Sequence, residues 1–431
     1  MSKPNIIFIL CDDIGYGDLG CYGQEVIPTP RLDQLASESM RFTQCYTGSS
    51  ICAPSRSVLM TGLHSGHTRV RDNFGIVGGV GDQKRVPLEP EDFTVAEMLK
   101  GEGYATGITG KWGLGEPDTT GVPTRKGFDA WFGYLNQRNA HTYYPPYLWH
   151  NEEKVMLEGN AGGQKQDYSH DMIFDFACDF IRDQKEGPFF LYLPWTLPHG
   201  AYEIPDASAW DDKPWTDDEK VYAAMITKID TQVGQIVDLL RELDIEDNTL
   251  LFFGSDHGAA RRWEAFNSCG PLRGQKGTMY EGGLRTPMIA HWPGKIPEGA
   301  VSDQVWYYAD FMATVADVVG CDAPGETDGV SILPTLLGDA QDLGDRALYW
   351  ERHAGGGFKQ AIRWKNWKAI RPPSELLLDE PLALYDLEND LGEENNVADQ
   401  HPDVVAQMDR FSREMRTDSY NYPLGVKGSH A

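Results

Sequence analysis

Asn5-Ile6-Ile7-Phe8-Ile9-Leu10, running on through Cys11 into Asp12-Asp13 and then Gly15 and Gly17, is the stretch that decides the fold. An apolar run of this length without polar alternation reads as a strand buried on both faces. A matching run, Thr249-Leu250-Leu251-Phe252-Phe253-Gly254, ends in Ser255-Asp256-His257-Gly258. Between them helices and strands alternate. Residues 94 to 102 carry Val95, Met98 and Leu99 at helical spacing and lead into a strand at 105 to 109. A helix opening at Ser169 presents Ile173, Phe174, Ala177, Phe180 and Ile181 on one face and leads into a strand at 189 to 193. Thr216 and Glu219 form a capping box for a helix reaching about Leu243, with the stripe Val221, Met225, Ile229, Val233, Ile236, Val237 and Leu240. This order predicts an α/β fold with a large, mostly parallel sheet sandwiched by helices.

Beyond about residue 340 the pattern changes. Residues 361 to 370 read as a hairpin turning at Lys365-Asn366, 382 to 387 as a strand, and 402 to 416 as a final helix. The expectation is a large domain over 1–340 and a smaller C-terminal α+β subdomain over 341–431 containing an antiparallel sheet. No internal repeat or low-complexity linker separates them.

Two adjacent carboxylates at the end of a buried strand are costly unless a cation holds them. Asp12 and Asp13 arrive on the same rim as Asp256 and His257, at the carboxyl ends of two like strands, where open α/β sheets bind ligands. Singly, each aspartate reads as a turn or cap residue. As a set they read as a divalent metal site, for calcium first and magnesium second, although His257 adds a nitrogen that hard cations use less often. Lys111, in Thr109-Gly110-Lys111-Trp112, and His199, in Leu197-Pro198-His199-Gly200, follow strands to the same rim. The ordinary pKa of histidine suits His199 to general acid work near neutrality. Lys276 precedes the glycine-rich run Tyr280-Glu281-Gly282-Gly283, which lets backbone approach a ligand closely.

One short turn carries Cys52-Ala53-Pro54-Ser55-Arg56, followed by Thr61-Gly62. Alone, Cys52 reads as a small buried hydrophobe. With the metal rim, the motif resembles the maturation motif of the type I, formylglycine-dependent sulfatases of the alkaline phosphatase superfamily. The resemblance runs from Asn5 to Leu384-Tyr385-Asp386-Leu387, with five separate motifs in order. It implies an alkaline phosphatase-like fold and an arylsulfatase-like sulfuric ester hydrolase. It further implies that a formylglycine-generating enzyme oxidises Cys52 to formylglycine, whose hydrate is the nucleophile. Asp12, Asp13, Asp256, His257 and the modified Cys52 would hold the metal, commonly calcium. Arg56 would orient the hydrate, Lys111 and Lys276 would clamp sulfate oxygens, and His199 would protonate the leaving oxygen. The second hydroxyl of the hydrate would expel sulfate, whereas a serine could accept sulfate but would release it poorly, so Cys52→Ser should give at most a burst of product. One departure stands out: many sulfatases have a histidine two residues after the lysine of Gly-Lys-Trp, and this chain has Gly113. His141 or another loop residue replaces it, or the enzyme manages without that base.

The 431 residues carry a formal charge of −27, so a polyanionic substrate would need a local basic cluster, and nucleic acid is an improbable partner. Basic candidates are Arg69 with Arg71, Arg125 with Lys126, Arg138, Arg261 with Arg262, and Arg273 with Lys276. The loop 136 to 149, rich in aromatics and amides, is expected to form a carbohydrate pocket, with Arg71, Asn73, Arg138, His141, Trp263 and Arg273 as substrate-binding candidates. Sulfated galactose or N-acetylgalactosamine units of a polysaccharide or glycosaminoglycan fit this polarity. The alternatives are a phosphoester or phosphonate hydrolase on the same scaffold, or a non-enzymatic glycan-binding relative. Seven scattered cysteines do not form a disulfide scaffold. No stretch has the length of a membrane span and no export signal precedes the first strand. The expectation is a soluble enzyme, periplasmic or secreted if a signal peptide has been removed and otherwise cytoplasmic, of unassigned oligomeric state.

Overall fold

The computed structural model of the chain describes residues 3–323, 325, 327–353 and 357–425. Asn5–Cys11 lies in the middle of an 11-stranded sheet, parallel to Phe189–Pro194 on one side and to Thr249–Ser255 on the other. Alternate residues of that one strand enter different cores. Ile6, Phe8 and Leu10 pack with the helices Cys52–Thr61, Val95–Gly101 and Asp310–Val319. Ile7, Ile9 and Cys11 pack with Pro30–Ser37, Ser169–Gln184 and Asp217–Glu242. Burial on both faces is what the unbroken apolar run requires.

Outward from Phe189–Pro194 the sheet continues in parallel through Ala105–Lys111 and Ala130–Tyr134, and closes with the antiparallel strands Tyr147–His150 and Glu153–Met156. On the other side Thr249–Ser255 meets Arg285–His291 antiparallel, which in turn meets Met40–Tyr46 antiparallel. The sheet is therefore mixed on this side.

The predicted helices stand where their periodicity put them. The Thr216–Glu219 capping box opens Asp217–Glu242, whose stripe is buried except for the half-buried Val221. The motif around Cys52 departs from its reading as a short turn. It opens the ten-residue helix Cys52–Thr61, closed by Gly62 at φ +70°. The loop read at 136 to 149 likewise contains a single turn, Asn139–His141, and the start of Tyr147–His150.

The second sheet is antiparallel and four-stranded: Ala347–Arg352, Lys359–Trp364, Trp367–Arg371 and Ala383–Asp386. One face, through Tyr349, Ile362, Ala369 and Leu384, carries the helix Pro402–Glu414. The other, through Leu348, Trp350, Ala361 and Ile370, joins the core of the large sheet. Trp350 Nε1 donates to Thr47 O at 2.7 Å, so the two sheets are fastened near the helix that carries Cys52.

Candidate active site

The register of two neighbouring strands builds the rim. Cys11 is paired with Ser255, so Asp12 and Asp256 leave the sheet side by side, and Asp256 N donates to Cys11 O at 2.9 Å. Ser255 Oγ accepts from Ile14 N at 3.0 Å and donates to His257 O at 2.9 Å, which locks the two turns together. Asp13 is held at φ +77°, a left-handed conformation that a non-glycine residue adopts at a cost, here at the centre of the site. One ligand atom from each of Asp12, Cys52, Asp256 and His257 falls within 4.8 Å of the others, all buried. Asp256 Oδ1 is buried without a hydrogen-bond donor among the described residues. His257 Nδ1 faces Gly258 O at 3.0 Å, which leaves Nε2 as the ligand atom. This donor set fits a divalent cation. The second group that converges here is Asp12, Asp13 and His199.

Cys52 occupies the first turn of its helix, where the helix dipole favours negative charge. Its Sγ lies 3.2 Å from His257 Nε2 and 3.6 Å from Asp12 Oδ1. One turn on, the fully buried Arg56 donates through Nε and Nη2 to Asp256 Oδ2 at 3.0 and 2.9 Å and through Nη2 to Asp12 Oδ2 at 3.3 Å. Its Nη1 donates to Lys111 O. Lys111, the last residue of its strand, reaches Asp12 Oδ2 at 2.5 Å, and Lys276 reaches Asp13 Oδ1 at 2.6 Å. Gly277 N donates to Ser50 O at 2.8 Å, which ties the Lys276 loop to the start of the Cys52 helix.

These charges set one another's protonation. Burial alone would raise the Asp12 carboxyl, but Lys111, His199, Lys276 and Arg56 outweigh it and hold it well below the usual range. Burial likewise opposes Asp13, and Lys276 overrides it. Burial would lower the His257 imidazole, and Asp256 reverses this and lifts it to about 9. Burial pushes His199 down to about 4 against the pull of Asp12 and Asp13. His199 Nε2 stands 3.9 Å from Asp13 Oδ2, while Nδ1 is buried without a hydrogen-bond partner among the described residues. Tyr143 Oη donates to Thr196 O and His199 O, both at 2.9 Å, and fixes the turn that presents the imidazole.

Of the substrate-binding candidates, Asn73 and His141 stand at the site. Asn73 Oδ1 accepts from Ala53 N at 3.0 Å, next to Cys52, and the His141 ring lies 5.0 Å from that of His199. Arg138 is exposed beside them. Three others are placed elsewhere. Arg71 is buried in an ion pair with Glu351 at 2.8 Å and donates to Thr68 O and Thr417, so it braces the C-terminal sheet. Arg273 stacks over Tyr280 at 4.0 Å and donates to Glu393 O. Trp263 packs within the cluster of Tyr202, Tyr222 and Phe266, its faces used by the core. Much of the expected basic cluster is also spent on neighbouring acids: Arg69 on Asp92, Arg125 on Glu152 and Arg261 on Asp218.

The space beside Gly113 is taken by a residue the sequence did not single out. Gly113 sits at φ +82°, and a Cβ there would meet Gln137 Nε2 at 2.7 Å. Gln137 is in turn held by Arg85. Nothing in Gln83-Lys84-Arg85 distinguishes a pocket cation from a surface one. Only folding brings that loop to the rim.

A buried pocket of carboxylates and an imidazole, a thiol in the first turn of a helix and three cations around it are the groups that hydrolysis of an anionic ester can use. The chain belongs to the sulfatase family and is a sulfuric ester hydrolase: the sulfatase family model matches residues 4–321, and the model of the N-sulphoglucosamine sulphohydrolase C-terminal region matches residues 274–418. It is 35% identical over 399 residues to N-acetylgalactosamine-6-sulfatase of Canis lupus familiaris, covering 85% of this chain and 72% of that protein. With arylsulfatase A of Homo sapiens it shares 31% identity, covering 93% and 85%. Among solved structures it is similar to Ps i-CgsB in complex with k-i-k-neocarrahexaose, at TM-score 0.83 and 29% identity, covering 100% of this chain and 95% of that one.

Proposed function

We propose that the protein removes sulfate from a sulfated carbohydrate, such as galactose or N-acetylgalactosamine units of a polysaccharide or glycosaminoglycan, with calcium and a formylglycine made from Cys52. The observation that carries this reading is the placement of Cys52 at a helix N-terminus, within 3.2 Å of His257 and 3.6 Å of Asp12, with Arg56, Lys111 and Lys276 around the same carboxylates. The similarity to N-acetylgalactosamine-6-sulfatase and to a structure solved with a neocarrahexaose supports a sugar as the substrate. In this reading residues 1–340 form the catalytic domain, and the subdomain 341–431 buttresses it.

Asp12, Asp13, Asp256 and His257, with residue 52, would hold the calcium, which supplies positive charge for the sulfate oxygens. The Cys52 sulfur stands where formylglycine, matured by a formylglycine-generating enzyme, would offer two hydroxyls on one carbon, one to accept the sulfuryl group and one to release it. Arg56 holds Asp12 and Asp256 in place and, with Lys111 and Lys276, neutralises charge as it develops. His199 delivers a proton to the leaving oxygen. The anionic ester adds negative charge beside its imidazole and raises it from the low value of the free chamber. Gln137 fills the side of the chamber next to Gly113, and His141 backs His199. Mass spectrometry of the peptide bearing residue 52, from protein co-produced with a formylglycine-generating enzyme, together with sulfate release from a panel of sulfated saccharides, tests the reading. An aldehyde at position 52 with turnover of a galactose-type sulfate is expected. A matured enzyme inert on every sugar but active on aryl sulfate would refute the substrate class.

A further inference from the structure

The chamber has a second cationic end that the sulfate chemistry does not use. Arg85 is buried, and its guanidinium is locked in place. Nη1 donates to Asn73 O at 3.2 Å and to Gln137 Oε1, Nη2 donates to Gln83 Oε1 at 2.5 Å, and the plane lies 5.3 Å from the centre of the Phe74 ring. Those partners are neutral. Arg56, Arg71 and Arg371 each have a carboxylate oxygen within 2.9 Å, whereas among the described residues Arg85 has only Glu116, with Oε1 at 3.6 Å from Nε. Glu116 is itself engaged by Asn136 Nδ2 at 3.0 Å. Burial raises its carboxyl above the ordinary value and lowers Arg85, which is what an under-compensated pair of this kind produces.

Arg138 directly follows Asn136, whose Nδ2 donates to Glu116, and Gln137, whose Oε1 accepts from Arg85, and it opens the turn Asn139–His141 whose imidazole lies beside His199. It is exposed, and its guanidinium has no partner among the described residues; only its backbone N–H is bonded, to Asn136 Oδ1 at 3.1 Å. Arg85 and the exposed Arg138 thus share one loop neighbourhood in which Glu116 is the nearby carboxyl. Arg85 is also linked to the turn at residue 52, since Asn73, whose backbone O accepts from Arg85, accepts through Oδ1 from Ala53 N. A net positive spot beside residue 52, on a chain of formal charge −27, is local and directional.

We propose that Arg138, one residue on from the Gln137 that Arg85 holds, receives a second anionic group of the substrate, so that the enzyme prefers sugars bearing a further sulfate or carboxylate near the scissile sulfate. This rests on the sugar sulfatase reading above. Arg138 makes the contact, and Arg85 positions it by holding Gln137 and the Asn73 loop. A planar guanidinium suits either anion, because both present paired oxygens.

The test compares kcat/KM of the matured wild type, Arg138→Ala and Arg138→Lys on three sugars: one singly sulfated, one carrying a second sulfate, and one carrying a uronate carboxylate beside the sulfated unit. The selectivity ratio, doubly anionic over singly sulfated, should fall about tenfold in Arg138→Ala, the size of one charge-assisted contact, and Arg138→Lys should keep most of it. Loss of the ratio with only one of the two doubly anionic sugars names the group recognised. A ratio unaltered in Arg138→Ala, or a wild type without preference, overturns the inference and leaves the proposed function standing. A matured wild type that releases sulfate from none of the three overturns both.

Discussion

The proposed chemistry depends on single atoms at position 52. A cysteine or serine there offers one nucleophilic atom, whereas release of sulfate by the proposed route needs two on one carbon. Cys52→Ser should give at most about one equivalent of product per enzyme, and Cys52→Ala none, both read by sulfate release in the presence of the modifying enzyme. Sustained turnover by the serine variant would contradict the route. His199 should matter in proportion to the leaving group. An alkoxide from a sugar needs a proton and an aryl oxide needs one far less, so His199→Ala should cost about 10²–10⁴-fold in kcat on a sugar sulfate and much less on 4-nitrophenyl sulfate. Asp18 makes a separate point about burial. It accepts from Gly15 N at 2.7 Å and Tyr222 Oη at 2.6 Å, yet burial pushes its carboxyl up to about 7. A carboxyl raised in the folded state favours folding while protonated, and that contribution is lost as pH rises from about 4 to about 7. Asp18→Asn keeps the acceptor oxygen and removes the titration. It should therefore be more stable than wild type above pH 7, by roughly 4 kcal/mol if the whole shift counts. Urea denaturation at pH 5 and pH 8 reads the difference.

At the scale of elements, the C-terminal sheet is fixed to the site through charge. Glu351 is fully buried and accepts from Arg71 at 2.8 Å and Tyr349 Oη at 2.6 Å, while Asp72, beside Asn73, lies 3.3 Å from Arg352. Removing the charge leaves Arg71 buried without its partner. Glu351→Gln should cost about 3 kcal/mol in denaturant unfolding and loosen the Asn73 turn, seen as faster amide exchange there. Many elements were legible because their signals are local. Unbroken apolar runs marked the Asn5, Phe189 and Thr249 strands, and a 3.6-residue stripe marked Asp217–Glu242. Met40–Tyr46 and Arg285–His291 gave no such signal. The first mixes Arg41, Thr43 and Gln44 into a half-buried strand, and the second carries Pro287 in its middle, which argues against a strand. The same limit hid Arg85 and Gln137. Motifs at strand ends announce themselves, whereas side chains brought in by loops are known only once the loops are placed.

For the whole molecule, the metal rim couples binding to stability. The proposed ligands are residues 12, 13, 256 and 257 with residue 52, so a bound cation would join two strands of the sheet to the Cys52 helix. Chelator-treated protein should melt at a lower temperature, and calcium at a hundred times its Kd should return about 2.7 kcal/mol. A proton competes with the cation for His257 Nε2, and that imidazole is lifted to about 9, so affinity should rise with pH towards that value. Calorimetry at pH 6 and pH 8.5 reads both effects, and equal affinity at the two pH values would remove His257 from the ligand set. The central claim is the reaction itself, and the measurement that tests it most directly is the release of sulfate and phosphate, side by side, from sulfated saccharides and the corresponding phosphoesters by protein with a confirmed aldehyde at position 52. Sulfate release that vanishes in Cys52→Ala is the predicted result. Phosphate release alone, or no turnover despite the aldehyde, would contradict the account.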